Sequence, residues 1–165
     1  MVRASFTLIL AKEDFKFSCA HFTLFGPERA ELLHGHNYQV ALELTGQELD
    51  EDALLIDFPS VKGAIRQACE ELDSLTLIPT ESPHLRIEQD EDSVTVTYRD
   101  RFYRLPKADV RLLPLVNTSI EAMARMLWQE LVDNVPLPRV ERLGVNVSET
   151  AGQGCWYRAD VPSRS

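Results

Sequence analysis

Three of the four histidines in this 165-residue chain stand as His21 and then His34-Gly35-His36. In an extended strand successive side chains alternate faces, so His34 and His36, two apart, project to the same side. The apolar parity agrees: Tyr38, Val40, Leu42 and Leu44 continue the even series, while Asn37, Gln39, Glu43 and Thr45 take the other. His21 ends a second such stretch, with Phe15, Phe17 and Cys19 on its face and Lys16, Ser18 and Ala20 opposite. A hairpin between the two strands would gather three imidazoles around one point. Three neutral imidazoles suit zinc, and three protein ligands leave a fourth position for water or substrate, the catalytic rather than the structural pattern. The competing reading is an ordinary strand whose histidines only form hydrogen bonds. The concentration of histidines in these two strands favours the metal.

The elements that must position these rings follow from period and punctuation. Residues 5–10 and 15–22 read as strands joined by a polar turn at Lys12-Glu13-Asp14, and 36–45 as the clearest strand. Leu54-Leu55-Ile56-Asp57-Phe58 reads as another. Pro59-Ser60 then opens a helix with the stripe Val61, Ala64, Ile65, Ala68, Cys69 and Leu72. Short alternating stretches between about 77 and 112 suggest a β-hairpin excursion. Asn117-Thr118-Ser119-Ile120-Glu121 carries a capping box, Thr118 accepting from the helix and Glu121 reaching back, ahead of a helix to about Val132. Strands at 140–149 and 155–161 close the chain. The expectation is one α+β domain over residues 1–165, helices on one face of an antiparallel sheet.

Composition narrows the function. At 44% hydrophobic, the chain is long enough to bury a core. Its net charge of −9, with scattered basic residues, argues against nucleic acid or an anionic membrane as partner. No apolar run approaches the ~20 residues of a membrane span, and Phe6 to Ala11 is too short for a signal peptide, so a cytoplasmic protein is expected. Cys19, Cys69 and Cys155 are odd in number and widely spaced, as reduced thiols would be.

Phe17-Ser18-Cys19-Ala20-His21, Leu33-His34-Gly35-His36-Asn37-Tyr38, Ile56-Asp57-Phe58, Leu72-Asp73, Asn117 to Glu121 and Ser148-Glu149-Thr150 fall in one order. Together they resemble the 6-pyruvoyl-tetrahydropterin synthase family, which includes the 6-carboxy-tetrahydropterin synthases of queuosine biosynthesis. The resemblance spans roughly 15–160 except the excursion at 77–112. It implies the T-fold, a four-stranded antiparallel sheet with two helices on one face, here with an inserted β-hairpin. It further implies a homo-oligomer, a hexamer built as a trimer of dimers or a dimer of trimers, acting on 7,8-dihydroneopterin triphosphate. By the same resemblance His21, His34 and His36 would hold Zn2+, Glu149 would grip the pterin's amino-pyrimidine edge, and Thr118 and Ser119 would help to line the pterin pocket. Asp57 is a candidate partner for a zinc histidine, with a helix-start role as the competitor.

The chain departs from the synthase pattern at the proton shuttle. Ala30 stands where the 6-carboxy members have the catalytic cysteine, and Ser74 follows Asp73 where a histidine is expected, leaving Asp73 as the surviving catalytic candidate of that pair. Glu31, three residues before His34, gives Glu-X-X-His-Gly-His instead. That resembles the third subclass, where a glutamate replaces the cysteine and the product is 6-hydroxymethyl-7,8-dihydropterin of folate synthesis. Glu31 would be the base, its pKa raised by burial. The alternatives are the 6-carboxy-tetrahydropterin synthase reaction and a non-catalytic member that binds zinc and pterin. Cys19 reads as a small buried core residue in preference to a thiolate beside the metal.

Overall fold

The computed structural model describes residues 4–150 and 152–162. Its axis is the long strand β3 (His34–Gly46), whose even positions Tyr38, Val40, Leu42 and Leu44 are all buried, as the alternation requires. Two strands lie end to end along one side of it: β1 (Phe6–Leu10) pairs with residues 42–46 and β2 (Lys16–His21) with 34–39, both antiparallel. They are therefore not a hairpin with each other, since the turn between them steps along a shared partner. On its other side β3 pairs with β9 (Arg142–Thr150), which pairs in turn with β10 (Gln153–Asp160).

Helix α1 (Phe58–Glu70) buries Val61, Ile65, Ala68 and Cys69. Leu54 to Asp57 precede it as loop, not as the expected strand. Asp57 is the N-cap, accepting from the Ser60 amide at 3.1 Å, and Pro59 sits in the first turn, so the helix signal outcompetes the short apolar run. Leu55 and Ile56 are buried as loop residues plugged into the core. Asp57 thus takes the helix-start role.

The class expected from sequence holds, but the sheet has seven strands and is mixed. The excursion supplies the extra strands. Its ends, β4 (Leu75–Pro79) and β8 (Val110–Leu113), extend the main sheet in the order β10-β9-β3-β2-β4-β8, with β4 parallel to β2 and β8 parallel to β4. Parallel neighbours need long crossovers, and the chain between β4 and β8 provides one as a second sheet of β5 (Arg86–Gln89), β6 (Ser93–Tyr98) and β7 (Arg101–Pro106). This sheet has its own small core of Val94, Val96 and Tyr98 against Phe22, Leu24 and Ile78.

Helix α2 (Ile120–Asn134) buries Met123, Ala124, Leu127, Trp128, Leu131 and Val132 in the same core as α1 and β3. Its N-cap is Ser119, whose hydroxyl accepts from the Ala122 amide at 3.3 Å. The capping box built on Thr118 is therefore displaced by one residue. Thr118 is fully buried and its hydroxyl donates to the Phe22 carbonyl at 3.2 Å, which removes it from the cap.

Candidate metal centre and its surroundings

The β2–β3 register sets His21 opposite His34 and Cys19 opposite His36, so the three imidazoles emerge on one face where β2 ends and β3 begins. Their ligand atoms all lie within 4.8 Å of one another. His21 is only 1% exposed, while His34 and His36 are half-buried at the rim.

Two of the rings have their tautomers set from behind. His21 Nδ1 lies 3.1 Å from the Thr118 carbonyl and His34 Nδ1 lies 2.7 Å from the Leu32 carbonyl. A carbonyl only accepts, so both Nδ1 atoms carry protons, and in the neutral rings the lone pairs fall on Nε2. The Nε2 atoms of His34 and His36 stand 2.8 Å apart, a separation at which two lone pairs repel unless a proton or a cation lies between them. Imidazoles oriented by backbone carbonyls, with their Nε2 atoms converging, are the donor set that zinc takes. The residues present fit the ion.

Glu149 and Tyr38 complete one side. The Tyr38 hydroxyl is 2.9 Å from His21 Nε2 and 3.3 Å from Glu149 Oε1. Glu149 Oε2 accepts from Gln153 at 2.8 Å and stands 4.0 Å from His36 Nε2. Parity placed Tyr38 only in the core, and its hydroxyl's role was missed. The signal was there: it shares the face of the two histidines and has one polar atom to satisfy.

Glu31 stands on the other side, its Oε2 3.9 Å from His34 Nε2. The same oxygen accepts from the Thr23 amide at 3.0 Å, and the Glu31 amide donates to the Thr23 carbonyl at 2.9 Å. Burial works to raise this carboxyl, but the hydrogen bonds from Thr23, helped by the imidazoles of His34 and His21, outweigh it and hold the pKa below the usual range. The expectation of a burial-raised base is thereby corrected: Glu31 is ionised at neutral pH, ready to accept a proton but weaker in its pull.

Asp73 is held by Ser18 and Ser74. Its carboxylate accepts from the Ser18 amide at 2.6 Å and hydroxyl at 3.0 Å, and from the Ser74 hydroxyl at 3.0 Å. The Ser18 amide is the main reason its pKa is lowered. Ser119 is occupied as a helix cap, and of the Thr118-Ser119 pair only Thr118 touches the histidines. Cys19 is 5% exposed, and burial first, then the charges of Asp73 and Glu149, push its thiol up to about 12. At neutral pH it is a protonated core residue.

Asn117 is the tie that lets α2 reach β2. Its Oδ1 accepts from the Leu24 amide and its Nδ2 donates to the Leu24 carbonyl, at 3.0 and 2.9 Å, as a strand partner would. That brings the Thr118 carbonyl against His21.

Comparison with known proteins points one way. The family model described as 6-pyruvoyl tetrahydropterin synthase matches residues 10–160. A proposed 6-carboxy-5,6,7,8-tetrahydropterin synthase of Methanocaldococcus jannaschii is 30% identical over 146 residues, 87% of this chain and 89% of that one. The crystal structure of Plasmodium vivax 6-pyruvoyl tetrahydropterin synthase superposes with a TM-score of 0.90 at 31% identity, covering 96% of this chain and 99% of the other. A variant of that Plasmodium protein with a glutamate replaced by alanine, described as a catalytic-residue mutant, matches with a TM-score of 0.89 at 30% identity and the same coverage.

Proposed function

The chain belongs to the 6-pyruvoyl tetrahydropterin synthase family, and from that membership we propose that it is a zinc-dependent lyase cleaving the side chain of 7,8-dihydroneopterin or its triphosphate to 6-hydroxymethyl-7,8-dihydropterin. The observation that carries the reading is Glu31: an ionised carboxylate 3.9 Å from His34 Nε2, in a chain with Ala30 where the synthase cysteine would stand and a Cys19 thiol too buried to ionise. The catalytic glutamate of the Plasmodium vivax relative supports the same choice.

In this scheme His21, His34 and His36 hold zinc. Bound there, the ion supplies Lewis acidity toward the oxygens of the substrate side chain. Glu31 takes the proton of the hydroxyl on the second side-chain carbon as the bond between the first and second carbons breaks, the outer fragment leaving as an aldehyde and the electron pair passing into the dihydropterin ring imine. It then returns the proton to the carbon left on the ring. Glu149, steadied by Tyr38 and Gln153, accepts the paired hydrogen bonds of the amino-pyrimidine edge. Thr118 acts through His21, and Ser119 keeps the start of α2 beside the pocket. Asp73 enters as an acidic group that fixes the Ser18 segment of β2. We further propose a cytoplasmic homo-oligomer. Exposed Leu32, Phe102 and Val116 offer apolar surface for assembly, and no helix among the described residues is long and apolar enough to cross a membrane.

The 30% identical relative favours a second reading, the 6-carboxy-tetrahydropterin synthase reaction. One experiment separates them: incubation of zinc-loaded protein with 7,8-dihydroneopterin triphosphate, followed by chromatography of the pterins. The 6-hydroxymethyl product, lost in Glu31→Ala while pterin binding persists, supports the lyase. A 6-carboxy product selects the synthase, and bound pterin without turnover would mean a non-catalytic binder.

A further inference from the structure

The loop that carries Glu31 has little structure of its own. Between β2 and β3 it makes one isolated bridge, Leu24 with Ala30, and turns through Gly26 at φ +87°. Buried or half-buried carbonyls in such a loop need donors from elsewhere. For Gly26, Glu28, Ala30 and Glu31 they come from one place, the hairpin end where β6 turns into β7. Tyr98 Oη donates to the Gly26 carbonyl at 2.9 Å, Arg99 Nη1 to the Glu28 carbonyl at 2.7 Å, and Arg101 to the carbonyls of Glu31 and, at 3.3 Å, Ala30. Arg99 also pairs with the Glu28 carboxylate at 2.9 Å.

A second observation marks this turn. Arg99 sits at φ 55°, in a left-handed conformation where a hairpin turn ordinarily takes glycine or asparagine. The residue that takes this conformation here is an arginine whose side chain reaches the loop at Glu28. The apolar side agrees, because Phe22 stacks on Tyr103 of β7 at 5.7 Å and Ala30 and Leu33 pack against the core of the small sheet.

We propose that the inserted three-stranded sheet is a clamp for the Glu31 loop, and that Arg101 is a positioning residue that sets the Glu31 carboxylate relative to the metal site. The second half rests on the proposed role of Glu31 as base. Arg101 touches only main-chain carbonyls of the loop, so it acts through the backbone to which the Glu31 side chain is attached.

The test is a double-mutant cycle of Arg101→Ala and Glu31→Ala in the full-length zinc-loaded protein, with 7,8-dihydroneopterin triphosphate as substrate and hydrogen exchange of the 23–33 amides measured alongside. Displacing a catalytic group by about 1 Å costs up to ~100-fold, so R101A should lower kcat roughly 10- to 100-fold, leave KM within about 3-fold, and change the residual rate of E31A less than about 2-fold. Exchange of the 23–33 amides should quicken in R101A while that of β3 and the bound zinc stay as in the parent. Arg101→Lys, which keeps the charge but has a single donor nitrogen, should recover part of the rate. An equal loss from R101A in both backgrounds would overturn positioning through Glu31, and unchanged exchange in 23–33 would overturn the clamp. If E31A alone keeps the full rate, the base reading falls and the positioning role with it, while the exchange result still decides the clamp.

Discussion

Acid should destabilise the metal-stripped protein through one imidazole. His21 is almost wholly buried, its Nδ1–H committed to the Thr118 carbonyl, and a proton added at Nε2 would face two further imidazoles. Burial first, then His34 and His36, lower its pKa to about 4, against an opposing pull from the Thr118 carbonyl and Glu31. In the unfolded chain the same ring titrates near ~6.5. Between these values the unfolded state binds the proton and the native state refuses it, so this contribution to stability is fully present above the unfolded pKa and is lost as pH falls toward 4. At ~1.36 kcal/mol per unit, the loss between pH 7.5 and pH 5 is about 2 kcal/mol. With a urea slope of ~1–3 kcal/mol per molar, the midpoint should drop by roughly 1 M. Glu31 and Asp73, whose pKa values are lowered, lose their contribution at and below the ordinary carboxylate range, while burial raises Glu130 toward the window, a shift that adds stability on acidification and so opposes the drop from His21. The assay is urea unfolding followed by circular dichroism on chelator-treated protein, with His21→Gln as control. A midpoint equal at pH 7.5 and 5, or a His21→Gln variant with the parent's pH slope, would refute the reasoning.

Three other outcomes follow from the packing. Asn117→Ala strips Leu24 of both its partners and should cost about 2–3 kcal/mol in chemical denaturation, with weaker zinc retention because the Thr118 carbonyl is no longer held against His21. Gly46→Ala should cost about 2–3 kcal/mol, since its methyl would stand 2.1 Å from the Arg139 carbonyl oxygen and 2.7 Å from Leu55 at the end of β3; a denaturation midpoint equal to the parent's would contradict the close approach. Iodoacetamide at pH 8 should alkylate half-buried Cys155 in the native protein and leave Cys19 untouched, and peptide mass spectrometry showing equal labelling would overturn the account of a protonated, buried Cys19.

How much of this could be read from the chain depends on the range of the interaction. The alternation from His34 to Leu44 reports which face each side chain takes, because a strand's period is two, and the same rule put His21 on the metal face. Non-local choices left weaker traces. Thr118 and Ser119 are both competent caps, and the choice was made by a contact with Phe22 and His21 nearly a hundred residues away. Leu54 to Phe58 has the composition of a buried strand or a buried loop alike, and the cap at Asp57 decided between them. The parallel pairings of β4 and β8 depend on how the excursion folds back, for which alternating residues within 77–112 carry no sign. Glu31 was legible as a candidate from its spacing to His34, but the direction of its pKa shift, against the raising effect of burial, came from the hydroxyl and amide of Thr23 across the loop, with the imidazoles adding to it.

On the proposed function, three imidazoles hold a zinc ion on which pterin cleavage depends. Protein stripped with chelator and titrated with zinc should convert 7,8-dihydroneopterin triphosphate to 6-hydroxymethyl-7,8-dihydropterin at a rate that climbs in proportion to bound metal and levels at one ion per chain, with no rise for His36→Ala. Equal turnover in stripped and reloaded protein, or in His36→Ala, would contradict it.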